Sequence, residues 1–154
     1  MEFFFVLLIG LLMFLLGQSV QAFSISALVG LLSKRFSLKQ RLRQEARLSG
    51  GFMVLSITLF FLLVNSLFQV GLWAVTFVLA GQFETYSDAF YHSAVNFATL
   101  GYGDIVMASP WRLLGALEAI SGILMLGLST ATLSFVFGQL MRLRYADLKA
   151  QIHQ

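Results

Sequence analysis

Three long stretches with almost no charge dominate this chain, and they lie at residues 3–32, 52–80 and 113–141. Each exceeds the roughly 20 apolar residues that a helix needs to cross a bilayer. A mean hydropathy of +0.85 and a charged fraction of 11% are outside the range of ordinary water-soluble domains. The sequence therefore predicts an all-α membrane protein with three transmembrane helices. Residues 18–21 are polar enough for the first helix to leave the hydrocarbon of the bilayer early.

The positive charges lie at one end of these helices. Six of the ten Lys and Arg residues fall within residues 34–48, and Arg142, Arg144 and Lys149 follow the third apolar stretch. Because positively charged loops stay cytoplasmic, we expect the N-terminus outside and the C-terminus in the cytoplasm. The predicted segments are an N-terminal transmembrane helix at 1–33, a basic cytoplasmic linker at 34–50, a two-helix domain at 51–142 and a short cytoplasmic tail at 143–154.

The basic linker has a second interpretation besides topology. Leu38, Leu42 and Ala46 recur at a spacing of four, which places them on one face of a helix among basic residues. Such a segment can lie on anionic headgroups, whereas a solvated loop would only set the topology, and both interpretations stay open. Nucleic acid is not an expected partner, because a membrane chain without a soluble domain offers no platform for it. The lipid contacts of an interfacial helix would include Arg41, Arg43 and Arg47.

The loop between the second and third helices contains an unusual run, Thr99-Leu100-Gly101-Tyr102-Gly103, followed by Asp104. Gly101 and Gly103 adopt positive φ at little cost because they lack a Cβ. The carbonyls of residues 99–102 can therefore all turn toward one axis, with the Leu100 and Tyr102 side chains pointing away. Carbonyls arranged in this way replace the hydration shell of a potassium ion, and the Thr99 hydroxyl can add an inner ligand. The candidate K⁺ ligands are Thr99, Leu100, Gly101 and Tyr102, with Gly103 completing the run.

A predicted half-helix precedes this run. Residues 86–98 are mostly apolar but too few to span a bilayer, which is typical of a re-entrant segment. The sequence Thr85-Tyr86-Ser87-Asp88 matches a capping box, so Thr85 or Ser87 can accept a backbone N–H at the helix start. The partially negative C-terminal end of the helix would then point at the place where a cation dehydrates.

The run resembles the selectivity filter of potassium channels, T-V-G-Y-G-D. A second run, Leu117-Glu118-Ala119-Ile120-Ser121-Gly122 with Gly127-Leu128-Ser129-Thr130, is similar to the inner helix of prokaryotic inward rectifiers and small two-transmembrane pore proteins. The resemblance covers residues 52–141, and the first helix has no counterpart in it. It implies a pore domain of outer helix, re-entrant pore helix, filter and inner helix, preceded by one extra transmembrane helix. It also implies passive K⁺ conduction by a homotetramer in a prokaryotic inner membrane, with no cofactor besides the transported ion.

Some positions differ from the family pattern. Leu100 replaces the usual valine, and Val95 stands where some members have a glutamate that pairs with the acid after the filter. Without that pair, we expect Asp104 to bond with Tyr91 or with a neighbouring chain. Glu118 is the only ionisable residue inside an apolar stretch. It either supports the filter through a hydrogen bond to the back of the pore helix or attracts ions electrostatically.

The remaining candidates concern gating and alternative functions. Gly122 and Gly127 can form a gating hinge or permit close packing; we expect packing at one of them and leave the other open. His92 is expected to pack or hydrogen-bond rather than to sense protons. With no cysteine and no catalytic or metal-ligand spacing, the sequence does not predict an enzyme. The alternative to a channel is a non-conducting membrane subunit that assembles with and regulates another protein.

Overall fold

The described residues of the computed structural model are 1–41 and 48–152, with side chains described for residues 1–34, 51–145 and 149. These residues form four helices: α1 Glu2–Arg41, α2 Leu48–Leu79, α3 Tyr86–Phe97 and α4 Arg112–Ile152. Three stretches are long and apolar enough to cross a membrane, namely Glu2–Lys34, Gly51–Leu79 and Arg112–Tyr145. The predicted all-α architecture of three spanning helices and one short helix is confirmed.

The spanning helices alternate in direction. At one end of the molecule Val6 packs with Trp73, near the end of α2, and with Leu114, at the start of α4. Farther along α1, the Gln21 side chain donates to Ser129 of α4. Helices α1 and α4 therefore run in the same direction and α2 runs against them. The N-terminus consequently lies on the same side as the loop that joins α2 to α4.

Helix α3 enters the molecule between α2 and α4. Its last residue, Phe97, clusters with Val70 of α2 and Met125 of α4, and its backbone contacts Gly122, well inside α4. The chain then returns to the surface before α4 begins at Arg112. This path is that of a re-entrant helix, as the sequence predicts.

Helices α1 and α4 are longer than the apolar stretches from which they are predicted. No glycine or proline interrupts residues 31–41, so nothing in the sequence breaks the helix there, and α1 continues past residue 33 to Arg41. Likewise α4 continues past residue 142 to Ile152. Residues 42–47, which include Arg43 and Arg47, lie outside the described residues, as does the side chain of Arg41. The interfacial helix therefore stays a prediction.

A cluster of amide side chains joins α1 to the other helices midway along its length. Asn65 Nδ2 donates to Gln21 Oε1, Gln21 Nε2 donates to Ser129 Oγ over 3.2 Å, and Gln69 Nε2 donates to the Gly17 carbonyl over 3.0 Å. Gln21 and Gln69 are both buried. These amides find partners on neighbouring helices rather than in water, and the point at which α1 leaves the hydrocarbon stays a prediction.

Candidate functional site

The start of α3 is set by its N-cap. Thr85 has an extended backbone (φ −116°, ψ 145°), and its Oγ1 accepts from the Asp88 N–H over 3.1 Å. Thr85, rather than Ser87, thus satisfies one of the free N–H groups of the first turn. The Asp88 carboxylate in this turn is favourable beside the positive end of the helix. The opposite, partially negative end of α3 leads directly into the run 99–103.

The backbone of this run alternates in handedness. The φ angle is positive at Thr99 (58°), Gly101 (61°) and Gly103 (73°), and at neither residue between them. An ordinary strand points successive carbonyls to opposite sides. A reversal of φ at every second residue turns alternate peptide units over, so successive carbonyls can share one side. The positive φ of the two glycines is predicted by their lack of a Cβ. The left-handed conformation of Thr99 is not predicted from the sequence and follows from its position just after a helix C-terminus.

In a single chain, the large side chains of the run 99–103 are exposed. The Leu100 side chain is 56% exposed and that of Tyr102 is 66% exposed. Among the described residues, no backbone N–H donates to the carbonyls of residues 99–103. Exposed large apolar side chains beside unpaired carbonyls are typical of a surface that another molecule covers.

An acid follows the run and is held by α3. The Tyr91 hydroxyl donates to Asp104 Oδ2 over 2.8 Å, which is the first of the two partners expected for Asp104, the other being a neighbouring chain. This hydrogen bond lowers the pKa of Asp104 and raises the pKa of Tyr91. Asp104 is therefore charged at neutral pH and is tied to the outer part of α3.

Glu118 lies at the meeting point of three helices. It is fully buried, and its Oε1 contacts the hydroxyl of Ser93 on α3. The same hydroxyl lies 2.8 Å from the carbonyl of Val70 on α2. Glu118 thus contacts the back of the pore helix, the first of its two predicted arrangements, and within one chain it does not face open space.

A second polar pair lies on α3. His92 Nδ1 is 2.9 Å from the Ile105 carbonyl oxygen, and His92 Nε2 is 2.9 Å from Asn96 Nδ2. The ring is 7% exposed and packs between Phe77 and Phe83. His92 therefore has the hydrogen-bonding role expected of it. Asn96 is not among the residues singled out from the sequence, although its spacing of four from His92 places both on one helix face.

The two candidate hinge glycines of α4 have different surroundings. A Cβ at Gly122 would overlap the Phe97 carbonyl oxygen, whereas a Cβ at Gly127 would meet no atom within 4 Å. Gly122 therefore permits the close approach of α4 to the end of α3. Gly127 has no such requirement within one chain, so its role as a hinge stays a prediction.

Residues 67–139 match a protein-family model described as "Ion channel". The matched segment extends from the second half of α2 through α3 and the run 99–103 to most of α4. A search of curated proteins and a search of solved structures found no match to the chain. The match indicates a channel and not an enzyme. Residues 67–139 are thus similar to the ion channel family, and the three helices able to span a membrane indicate an integral membrane protein, with one further helix, α1, in front of the matched segment.

Proposed function

We propose that this protein conducts K⁺ passively and selects it through residues 99–103. The observation that carries the proposal is the positive φ at Thr99, Gly101 and Gly103. Such a backbone can present successive carbonyls to one side, and these oxygens can replace the hydration shell of K⁺. The partially negative end of α3 directly before the run favours a cation there.

We also propose that four chains form the pore. One chain contributes one strand, which supplies about a quarter of the roughly eight oxygens that a dehydrated ion requires. The exposed Leu100 and Tyr102 side chains support an assembly that covers the back of the run. The number four itself comes from the resemblance to potassium channels.

The proposed setting is a prokaryotic inner membrane with the N-terminus outside. Its support is the position of the N-terminus on the same side as the run 99–103, together with the basic residues near the opposite ends of the helices. Positively charged segments stay on the cytoplasmic side. Anionic lipids are the proposed partners of Arg41, Arg43 and Arg47.

The proposal is tested by ion flux from liposomes that contain the purified protein. We expect the wild type to pass K⁺ much faster than Na⁺. Gly103→Ala should lose conduction or selectivity, because a Cβ in the left-handed conformation costs about 1–2 kcal/mol. Gly81→Ala is the matched control, since Gly81 also has a positive φ (68°) but lies in the turn after α2.

The outcomes separate the candidate functions. Loss of selectivity in Gly103→Ala with selectivity retained in Gly81→Ala supports a filter at 99–103. Equal passage of K⁺ and Na⁺ in the wild type would rule out the filter. A folded, reconstituted protein without flux would favour the non-conducting regulatory subunit.

A further inference from the structure

The run 99–103 is anchored to α3 at both ends. At its entry, the Thr99 N–H donates to the Asn96 carbonyl over 2.8 Å and the Leu100 N–H donates to the Val95 carbonyl over 2.9 Å. At its exit, His92 contacts the carbonyl of Ile105. Within the described part of the chain, residues 101–104 form no backbone–backbone hydrogen bond. Their path therefore depends on the anchors.

The exit anchor belongs to a chain of side-chain contacts that extends to α4. His92 Nε2 lies 2.9 Å from Asn96 Nδ2. Asn96 also packs on α4, because a Cβ at Gly115 would lie 2.9 Å from its Nδ2. The backbone leaving the run is thus connected to α4 through Ile105, His92 and Asn96, which packs against Gly115.

The hydrogen-bond partners specify one protonation state of His92. A backbone carbonyl only accepts, so Nδ1 must carry the hydrogen that points to Ile105. The Asn96 NH₂ group only donates, so Nε2 must present its lone pair. Both bonds therefore form only with the neutral imidazole protonated at Nδ1. A second proton on Nε2 would face the Asn96 N–H and break this contact, whereas Nδ1 would keep its hydrogen bond to Ile105.

We propose that His92 and Asn96 are positioning residues for conduction: they hold the exit of the run 99–103 against α3 and α4, and protonation of His92 breaks its contact with Asn96 and reduces K⁺ flux. The inference rests on the proposed channel function. It gives two residues of α3 a role in conduction, although neither of them belongs to the run 99–103.

The charges around His92 determine the direction of the pH effect. Burial lowers the pKa of His92, while its bond to Ile105 and the charge of Asp104 partly oppose this. Glu118 is the acid on the α4 side, beyond Asn96, and α2 and the following loop contribute the uncharged rings of Phe77 and Phe83. The neutral form and its two bonds are thus complete above the ordinary imidazole pKa of about 6.5. The bond to Asn96 is lost as the pH falls through the lowered pKa, whereas the bond from Nδ1 to Ile105 persists in the protonated ring.

The experiment measures K⁺ flux from liposomes between pH 8 and pH 5. Wild-type flux should fall about tenfold, the scale expected when one buried hydrogen bond is lost, with a midpoint below about pH 6.5. His92→Asn keeps an N–H in place of Nδ1 but does not titrate in this range, so its flux should not respond to acid. His92→Phe keeps the ring volume without either bond and should have low flux at every pH. Asn96→Leu, of similar volume, should lower flux already at pH 7.5.

Two controls keep the result interpretable. The chain has two histidines, so His153→Gln must leave the pH response unchanged. Nitrogen NMR of the histidine-labelled wild type should show His92 neutral with its proton on Nδ1 at pH 7.5, a readout independent of conduction. An Nε2-protonated ring, or a pH response that persists in His92→Asn, would overturn the inference. Absence of flux at all pH values would instead overturn the channel proposal, while the NMR result would still test the contacts of His92.

Discussion

Glu118 shows how one residue joins three helices. Its carboxylate contacts the Ser93 hydroxyl, which also lies beside the Val70 carbonyl. We expect Glu118→Gln to keep a hydrogen bond to Ser93 and most of the conductance. Glu118→Ala removes this bond, so that Ser93 keeps only the Val70 carbonyl, and it should destabilise the assembly by about 0.5–1.5 kcal/mol. Thermal denaturation and single-channel recording of the two variants test this expectation. If Glu118→Gln loses as much conductance as Glu118→Ala, Glu118 attracts ions instead.

Gly122 and Gly127 offer a second comparison at the scale of single residues. Gly122→Ala forces the α4 backbone away from Phe97, and overpacking of this kind costs about 1–3 kcal/mol. Gly127→Ala introduces no such overlap, so its denaturation temperature should stay close to that of the wild type. If Gly127 is a hinge, its alanine variant should change open probability without changing stability. Equal destabilisation by both substitutions would contradict the distinction between packing at Gly122 and open space at Gly127.

At the scale of elements, the amide cluster explains how α1 is fastened to the pore domain. Hydrogen bonds between membrane helices are worth about 0.6–2 kcal/mol each. The double variant Gln21→Leu, Asn65→Leu should therefore lower the stability of the protein in detergent. Ser19→Ala is the control, because the Ser19 hydroxyl bonds only within α1, to the Leu15 carbonyl over 2.8 Å. An unchanged denaturation temperature in the double variant would show that apolar packing alone holds α1.

The basic linker yields a prediction for the connection between α1 and α2. Each Lys or Arg near an anionic surface contributes about 1 kcal/mol of membrane attraction. Replacing Arg41, Arg43 and Arg47 together with Gln should therefore weaken the dependence of open probability on anionic lipid and leave selectivity unchanged. Lys149→Gln, near the end of α4, provides a single-charge comparison. If the wild type opens equally well with and without anionic lipid, the linker is only a topology signal.

At the scale of the whole molecule, the proposed assembly predicts a dominant effect of one defective subunit. When wild-type and Gly103→Ala chains are produced in equal amounts, random association in fours leaves roughly one assembly in sixteen free of the variant. Flux should therefore fall far below half of the wild-type value. Native mass spectrometry of the mixture should show four chains per assembly. A flux close to half of wild type would indicate that the chains do not share one pore.

Much of this protein is determined by patterns that are local in sequence. The three apolar stretches predict the spanning helices because length and hydropathy alone decide membrane insertion. Gly101 and Gly103 predict a positive φ, because the steric restriction on φ comes from the residue's own Cβ, which glycine lacks. The Thr85 capping signal predicts the start of α3 for the same reason, since a cap involves only the first helical turn.

Other features depend on residues that are far apart in the chain. Gln21 and Ser129 are 108 positions apart, and no local signal connects them, so their contact follows only from the packing of α1 against α4. Gly122 and Gly127 look alike in sequence, and only the approach of Phe97 to Gly122 distinguishes them. The left-handed Thr99 and the His92–Asn96 pair likewise depend on where α3 ends and on which carbonyl the returning chain presents. The sequence by itself therefore determined the elements and the run 99–103, whereas tertiary packing decided which polar and small residues meet behind it.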